Sequence, residues 1–314
     1  MSPAEQLRLD GMPARLFACT PSRLATFGDC PRRYRLTYLD RPSPAKGPPW
    51  AHNSLGAAVH TALKRWWELP RARRSPAAAG SLLDACWLDD GFRDAEQSAL
   101  WRARARDWVA GYAQGLDPDD EPVGIERHVA TRTNRLALSG RVDRIDARGD
   151  ELVIVDYKAG RRAPTRDEAR SSFALACYAL GAARTLRRAC HRVELHHLRT
   201  GSVVDWTHTD ESLARHVARA EHTADDIVAA TDTLSAGAAA DEVFPAQVGR
   251  HCGWCDYRRH CPEGQAAEPE LEPWSMLGPT GSESGSEPGP TPGTVPGGTP
   301  GAREVAPAGT DPPG

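Results

Sequence analysis

The apolar positions of this chain follow three patterns. The first is an unbroken run, Leu152-Val153-Ile154-Val155, which predicts a central strand buried on both faces. Residues 139–146 read as its partner strand and 151–158 as the strand itself, with Arg148-Gly149-Asp150 as the hairpin turn. Shorter segments predict strands over 123–131, 191–198 and 202–207. The second pattern is helical spacing. It predicts a helix after Thr20-Pro21-Ser22 with Ser22 as N-cap, and another over 55–67 capped by Asn53 or Ser54. Further helices are predicted over 81–115, with a break near Asp89-Asp90-Gly91, over 166–186 and over 210–233. Trp87, Trp101 and Trp108 fall on that spacing and read as core.

The third pattern is the lack of either period. Residues 41–53 are a proline-rich loop and 70–80 an exposed linker, and from 265 the chain turns to Gly, Pro, Ser, Thr and Glu. The expected division is a flexible N-terminus over 1–17, one domain over 18–264 and a disordered tail over 265–314. Trp274-Ser275-Met276-Leu277 is the tail's one apolar group and a candidate docking motif. Strands interleaved with helices predict an α/β fold: a central mixed sheet flanked by helices, with a helical insertion ahead of the hairpin.

Composition narrows the function. With 314 residues and 40% hydrophobic content, the chain can build a sizeable core. A net charge of −3 gives no global attraction to nucleic acid, so binding must use a local basic patch. No apolar run is long enough to span a membrane, and the N-terminus lacks the apolar centre of a signal peptide, so a cytoplasmic location is expected. Eight cysteines then point to metal ligands and buried thiols, not to disulfides.

The candidate chemistry sits where the buried strand ends in charge, at Asp156-Tyr157-Lys158. Alternation places Asp156 and Lys158 on one face and Tyr157 on the other. Asp143, beside Gly140, lies on the preceding strand. Carboxylates are hard ligands for Mg²⁺ or Mn²⁺, and the Tyr157 carbonyl offers a further oxygen. Lys158 can orient an attacking water and stabilise developing negative charge. Only three of the 39 basic residues are lysines, which singles out Lys158 as a site that needs a compact ammonium.

Gly140-Arg141-Val142-Asp143 followed by Asp156-Tyr157-Lys158 resembles the PD-(D/E)XK nucleases, in particular their RecB-like exonuclease branch. Gly56-x-x-x-His60 is similar to that branch's first motif, where the His belongs to the metal site; the other reading of His60 is a satisfied core residue. The resemblance implies a restriction-endonuclease-like core and a metal-dependent DNA nuclease acting on single-stranded ends in repair or recombination. His60, Asp143, Asp156 and the Tyr157 carbonyl would hold Mg²⁺ or Mn²⁺, and two ions would stand about 4 Å apart. Lys158 would assist catalysis. Tyr178 matches the family's Tyr, but Ala174 stands where the family has Gln, which favours a second reading, a DNA-binding or partner module that does not cut. Glu126 is either a further acid at the site or, as expected here, a solvent-facing strand residue. Related nucleases are often fused to helicases. No G-x-x-x-x-G-K-[ST] occurs here, so this chain carries no P-loop ATPase, and a separate helicase subunit is a candidate partner.

Basic residues near these motifs are the candidate DNA contacts. Arg161 and Arg162 follow the hairpin, and Arg32 and Arg33 lie beside Tyr34 and Tyr38 in a segment that reads equally as a solvated helix face. A second constellation is Cys252-x₂-Cys255-x₅-Cys261. Three thiolates need a fourth ligand, and Cys30, also followed by Pro, is the best candidate; a zinc site completed by His251 or His260 is the alternative. One upstream Cys with such a triplet resembles the iron–sulfur staple of AddB-type and CRISPR-associated nucleases, which implies a [4Fe–4S] cluster on Cys30, Cys252, Cys255 and Cys261. Cys19, Cys86, Cys177 and Cys190 read as buried thiols.

Overall fold

A computed structural model of the chain describes residues 16–278. Leu152, Val153, Ile154 and Val155 are all buried and form the middle of β4 (Glu151–Lys158), as their unbroken apolar run predicts. Together with β1 (Phe17–Cys19), β2 (Gly124–Arg132), β3 (Leu136–Arg148), β5 (Arg192–His197) and β6 (Ser202–Thr207), β4 makes one mixed six-stranded sheet. β4 pairs antiparallel with β3 and parallel with β5, and β2 pairs with the far side of β3. A parallel neighbour requires a crossover. Here it is made by α6 (Arg166–Ser171) and α7 (Phe173–Leu186).

The two faces of β4 reach different layers. Val153, Val155 and Tyr157 pack with α3 (Ala51–Glu68), α4 (Pro76–Cys86) and α5 (Ala95–Gln114), around Trp66, Trp67 and Trp101. Leu152 and Ile154 pack with α7 through Leu175, Ala179 and Ala182. A third cluster joins α1 (Pro21–Asp29) and α2 (Pro31–Tyr38) to the start of β3 and to α8 (Asp210–Ser235), through Tyr34, Leu136 and Ile227. The short helices α9 (Ala240–Val243) and α10 (Pro262–Ala267) flank the cysteine segment. This is the α/β arrangement of a restriction-endonuclease-like core, with α4 and α5 inserted ahead of the hairpin. No described helix is long and apolar enough to cross a membrane.

Several boundaries differ from expectation, each for a local reason. Thr20, not Ser22, caps α1: Pro21 takes the first helical position and the Thr20 hydroxyl accepts from Arg23 N at 3.2 Å. α3 starts at Ala51, so Asn53 and Ser54 lie inside it. Residues 76–80 are helical instead of linker, because Ser75 caps α4 by accepting from Ala78 N ahead of Pro76. The helix expected over 166–186 breaks at Ser172, whose hydroxyl caps α7. Phe17 forms part of β1, so the N-terminal boundary at 17 falls inside a strand; residues 1–15 lie outside the described ones.

The expected tail also starts too early. Leu277 is 1% exposed and packs with Trp274 against the cluster of α3, so residues 265–278 belong to the packed body. Residues 279–314 lie outside the described ones.

Glu194 on β5 supplies an acid-sensitive joint. It is buried and accepts hydrogen bonds from Arg148 (2.8 Å), Arg192 (2.9 Å) and His196 (2.9 Å). Burial alone would raise its pKa, but the hydrogen bonds and charges of His196 and Arg148 bring it down to about 2, from 4.5. Because the folded value is the lower one, its stabilisation is complete above the unfolded pKa and is lost as pH falls towards 2. Glu194→Gln is expected to cost about 3 kcal/mol at pH 7 and almost nothing at pH 2. Urea midpoints of both proteins across that range check it; a gap that stays constant with pH would sink it.

Candidate active site and cysteine centre

The β3–β4 ladder ends at the pair Arg144↔Val155, one residue short of Asp143 and Asp156. Beyond it the Asp143 carboxylate takes over a backbone role: its Oδ2 accepts from Tyr157 N at 2.9 Å. Asp143 Oδ1 lies 3.2 Å from Nδ1 of His60 on α3, whose Nε2 lies 3.2 Å from the Tyr157 carbonyl oxygen. Burial opposes a charge on His60, but the hydrogen bond and charge of Asp143, with Asp156 and Glu126 adding, raise its pKa above the usual value. Lys158 Nζ lies 2.6 Å from Asp156 Oδ2. Burial and the Asp143 charge hold the Asp156 carboxyl above the usual range, with Lys158 opposing them.

Glu126 belongs with this group, contrary to the expectation of a solvent-facing residue. It stands between the register pairs Ile125↔Arg144 and Arg127↔Val142, directly opposite Asp143. Its φ of 46° takes it out of extended conformation, and its side chain is only 12% exposed, paired with Arg141 at 2.7 Å. A left-handed backbone at a non-glycine residue is strained and marks a position fixed by its surroundings. Burial and Asp143 raise its pKa, with Arg141, His60 and Lys64 opposing. One sequence signal could have found it: a tight turn at Thr133-Asn134-Arg135 sets the register that places Glu126 beside Asp143.

The metal test can now be made on donors. One ligand atom each from His60, Glu126 and Asp143 lies within 4.8 Å of the others, a grouping that Asp156 does not join. Two ligands on one Mg²⁺ stand about 3–4 Å apart, so these three are nearly at coordination distance. The two carboxylates are hard donors and the imidazole a borderline one, and mutually repelling carboxylates together with the His60–Asp143 hydrogen bond are what a divalent cation relieves. The residues fit such an ion. The Tyr157 carbonyl, an expected ligand, lies beside this group, 3.2 Å from His60 Nε2. Tyr178 packs its ring on β3 at Gly140, where a Cβ would meet its Cε1 at 2.4 Å. Burial and the charges of Asp156 and Asp143 push its hydroxyl up to about 12.

The basic candidates separate. Arg32 is 5% exposed, pairs with Glu263 (2.5 Å) and Asp241 (3.5 Å), and so is not available to phosphates. Tyr34 is fully buried against Phe27 and Phe244, not free to stack on bases. Arg33 is half-buried on the same helix. Arg161 and Arg162 are exposed, Arg162 paired with Glu168.

Cys30, Cys252, Cys255 and Cys261 line one small cavity, although more than two hundred residues separate the first from the rest. Cys30 and Cys261 each precede a Pro that opens a helix, α2 and α10. Gln247 N donates to Cys30 Sγ at 3.4 Å, and Arg32 to Cys261 Sγ at 3.9 Å. Gly264 closes the wall: a Cβ there would stand 3.3 Å from Cys261 Sγ and 3.6 Å from Cys252 Sγ. Four thiols, two of them with N–H donors on their sulfurs, fit a thiolate-bound metal group. His251 lines the same cavity, whereas His260 is bonded to the Ala45 carbonyl. Of the remaining cysteines, burial pushes Cys19 up to about 11 and Cys177 and Cys190 up to about 12, whereas Cys86, expected to be a buried thiol, is only partly buried.

A family model described as the PD-(D/E)XK nuclease superfamily matches residues 18–262. Among solved structures, the chain is similar to a "Putative exonuclease" from Eubacterium rectale, at 9% identity and a TM-score of 0.41, over 67% of this chain and 79% of that one. No curated protein matches the chain.

Proposed function

Because the chain belongs to the PD-(D/E)XK nuclease superfamily, we propose that it is a metal-dependent deoxyribonuclease, a RecB-like exonuclease acting on single-stranded DNA ends in repair or recombination. The observation that carries this reading is the meeting of Asp143, Asp156 and Lys158 with His60 and Glu126 where the β3–β4 ladder opens. His60, Glu126 and Asp143 would hold Mg²⁺ or Mn²⁺, with Asp156 beside them. The bound ion supplies Lewis acidity, which acidifies water and offsets charge on the phosphorane.

The chain's own groups do the rest. Asp156 holds the Lys158 ammonium, which orients the attacking water and faces the negative charge that grows on the phosphoryl oxygens. Asp143 fixes the Tyr157 backbone while presenting its other oxygen to the site. A separate helicase subunit would supply single strands. In this reading Cys30, Cys252, Cys255 and Cys261 carry a [4Fe–4S] cluster. Four thiols around one cavity support a thiolate-bound metal group.

The test is cleavage of end-labelled single- and double-stranded DNA with Mg²⁺ or Mn²⁺. Cutting that requires the ion and starts at one end is expected. A folded protein that binds DNA and cuts nothing with any divalent ion would transfer the chain to the second reading, a non-cutting DNA-binding module, which Ala174 favours. Glu126→Gln is expected to weaken Mn²⁺ binding at least about tenfold by calorimetry; unchanged affinity removes Glu126 from the site.

A further inference from the structure

The turn after β5 brings a second group of cations to the end of the sheet that carries Lys158. β5 runs parallel to β4 with Lys158 opposite His197, so Arg199 follows closely on the same edge. Its Nε donates to the carbonyl of Ala159 at 2.8 Å, which pins it to the residue after Lys158. The guanidinium lies over two indoles of α5, 4.6 Å from the Trp108 ring and 5.2 Å from that of Trp101. Arg104 also lies over the Trp101 ring, 4.8 Å from its centre. Among the described residues neither Arg199 nor Arg104 pairs with a carboxylate, and the terminal amino groups of Arg199 keep contact with solvent.

Half-buried positive charge gathered without an acid is costly unless an anion completes it. Two ring faces and one backbone carbonyl hold the Arg199 fork in place, so little conformational freedom is lost when it binds a planar pair of oxygens. Burial and the charges of Arg104 and Arg161 pull Arg199 down to about 10, a direction that a bound anion would reverse. Trp101 itself is not a base platform, since it is 2% exposed.

We propose that Arg199 and Arg104, seated on Trp101 and Trp108, form a subsite for a backbone phosphate of the nucleic-acid strand, at the end of the sheet that carries Lys158. The identity of the ligand as nucleic acid rests on the nuclease reading; the anion site itself does not. It reads no sequence, because it touches only the backbone.

The experiment is fluorescence anisotropy of a labelled single-stranded oligonucleotide of mixed sequence, with Ca²⁺ in place of Mg²⁺, over a range of salt. Arg199→Ala is expected to weaken binding about tenfold or more and to lower the slope of log affinity against log salt by about 0.7. Arg104→Glu, a change at a partly exposed position that does not threaten the fold, is expected to weaken binding similarly. Wild-type affinity and slope in both variants would overturn the proposal even if the enzyme cuts DNA. A wild type that binds through these arginines but never cuts leaves the subsite standing and sinks the nuclease reading alone.

Discussion

Lys158→Ala is expected to slow single-turnover cleavage by about three orders of magnitude while leaving the protein folded. The fold does not depend on this side chain, which is 47% exposed and pairs with Asp156. Its loss acts on the site twice. It removes the cation facing the growing charge, and it leaves the buried Asp156 with the like charge of Asp143 and no opposing ammonium, so Asp156 takes up a proton more readily. Lys158→Arg should rescue little, since a broad guanidinium cannot take the place of a point charge held at 2.6 Å. Single-turnover rates with saturating Mn²⁺, together with circular dichroism, make the measurement. A rate within tenfold of wild type would mean that Lys158 does not assist the attack.

The second large effect is expected at the cysteines. Cys252→Ser or Cys30→Ser should abolish metal loading and lower the melting temperature by roughly 10 °C, because the centre joins α2 to the segment before α10 and metal-binding energy is folding energy. The joint also holds the Arg32 pair with Glu263, the Gln247 bond to Cys30, the bond from Arg32 N to the Pro245 carbonyl and the stacking of Tyr34 on Phe244. Iron and sulfide analysis with a visible spectrum of anaerobically purified protein identifies the group, and calorimetry reads the stability. Serine variants that melt with wild type would show that these four thiols tie nothing together. Zinc without iron would keep the joint and replace the cluster.

The parts of this molecule written as local pattern could be read directly. The buried run of β4, the charged end of that strand and the Gly56-x-x-x-His60 face need only neighbours in sequence, and His60 does meet Asp143 in space. The Cys triplet signalled a centre, and Cys30 lines the same cavity. What escaped depends on register or on remote partners. Glu126 reaches the site because β2 pairs with β3 in one register and bends at a single left-handed residue. Arg32 looked solvent-facing because the acids that neutralise it, Asp241 and Glu263, lie more than two hundred residues away. β1 is three residues long and has no period to detect.

The packing of Trp274 and Leu277 against α3 bears on where this chain can be shortened. Composition invites a cut near 265, at the first glycine- and proline-rich residues. Such a cut would strip an apolar cover from the helix that carries His60, and it would remove the Pro273 carbonyl that accepts from Ala51 N at that helix's first turn. The truncated protein would keep every residue of the candidate site and lose the brace that seats one of them. A trimmed sample that failed to cut DNA would then be reporting on its own boundary, and residue 277 is the earliest stop that leaves that brace in place.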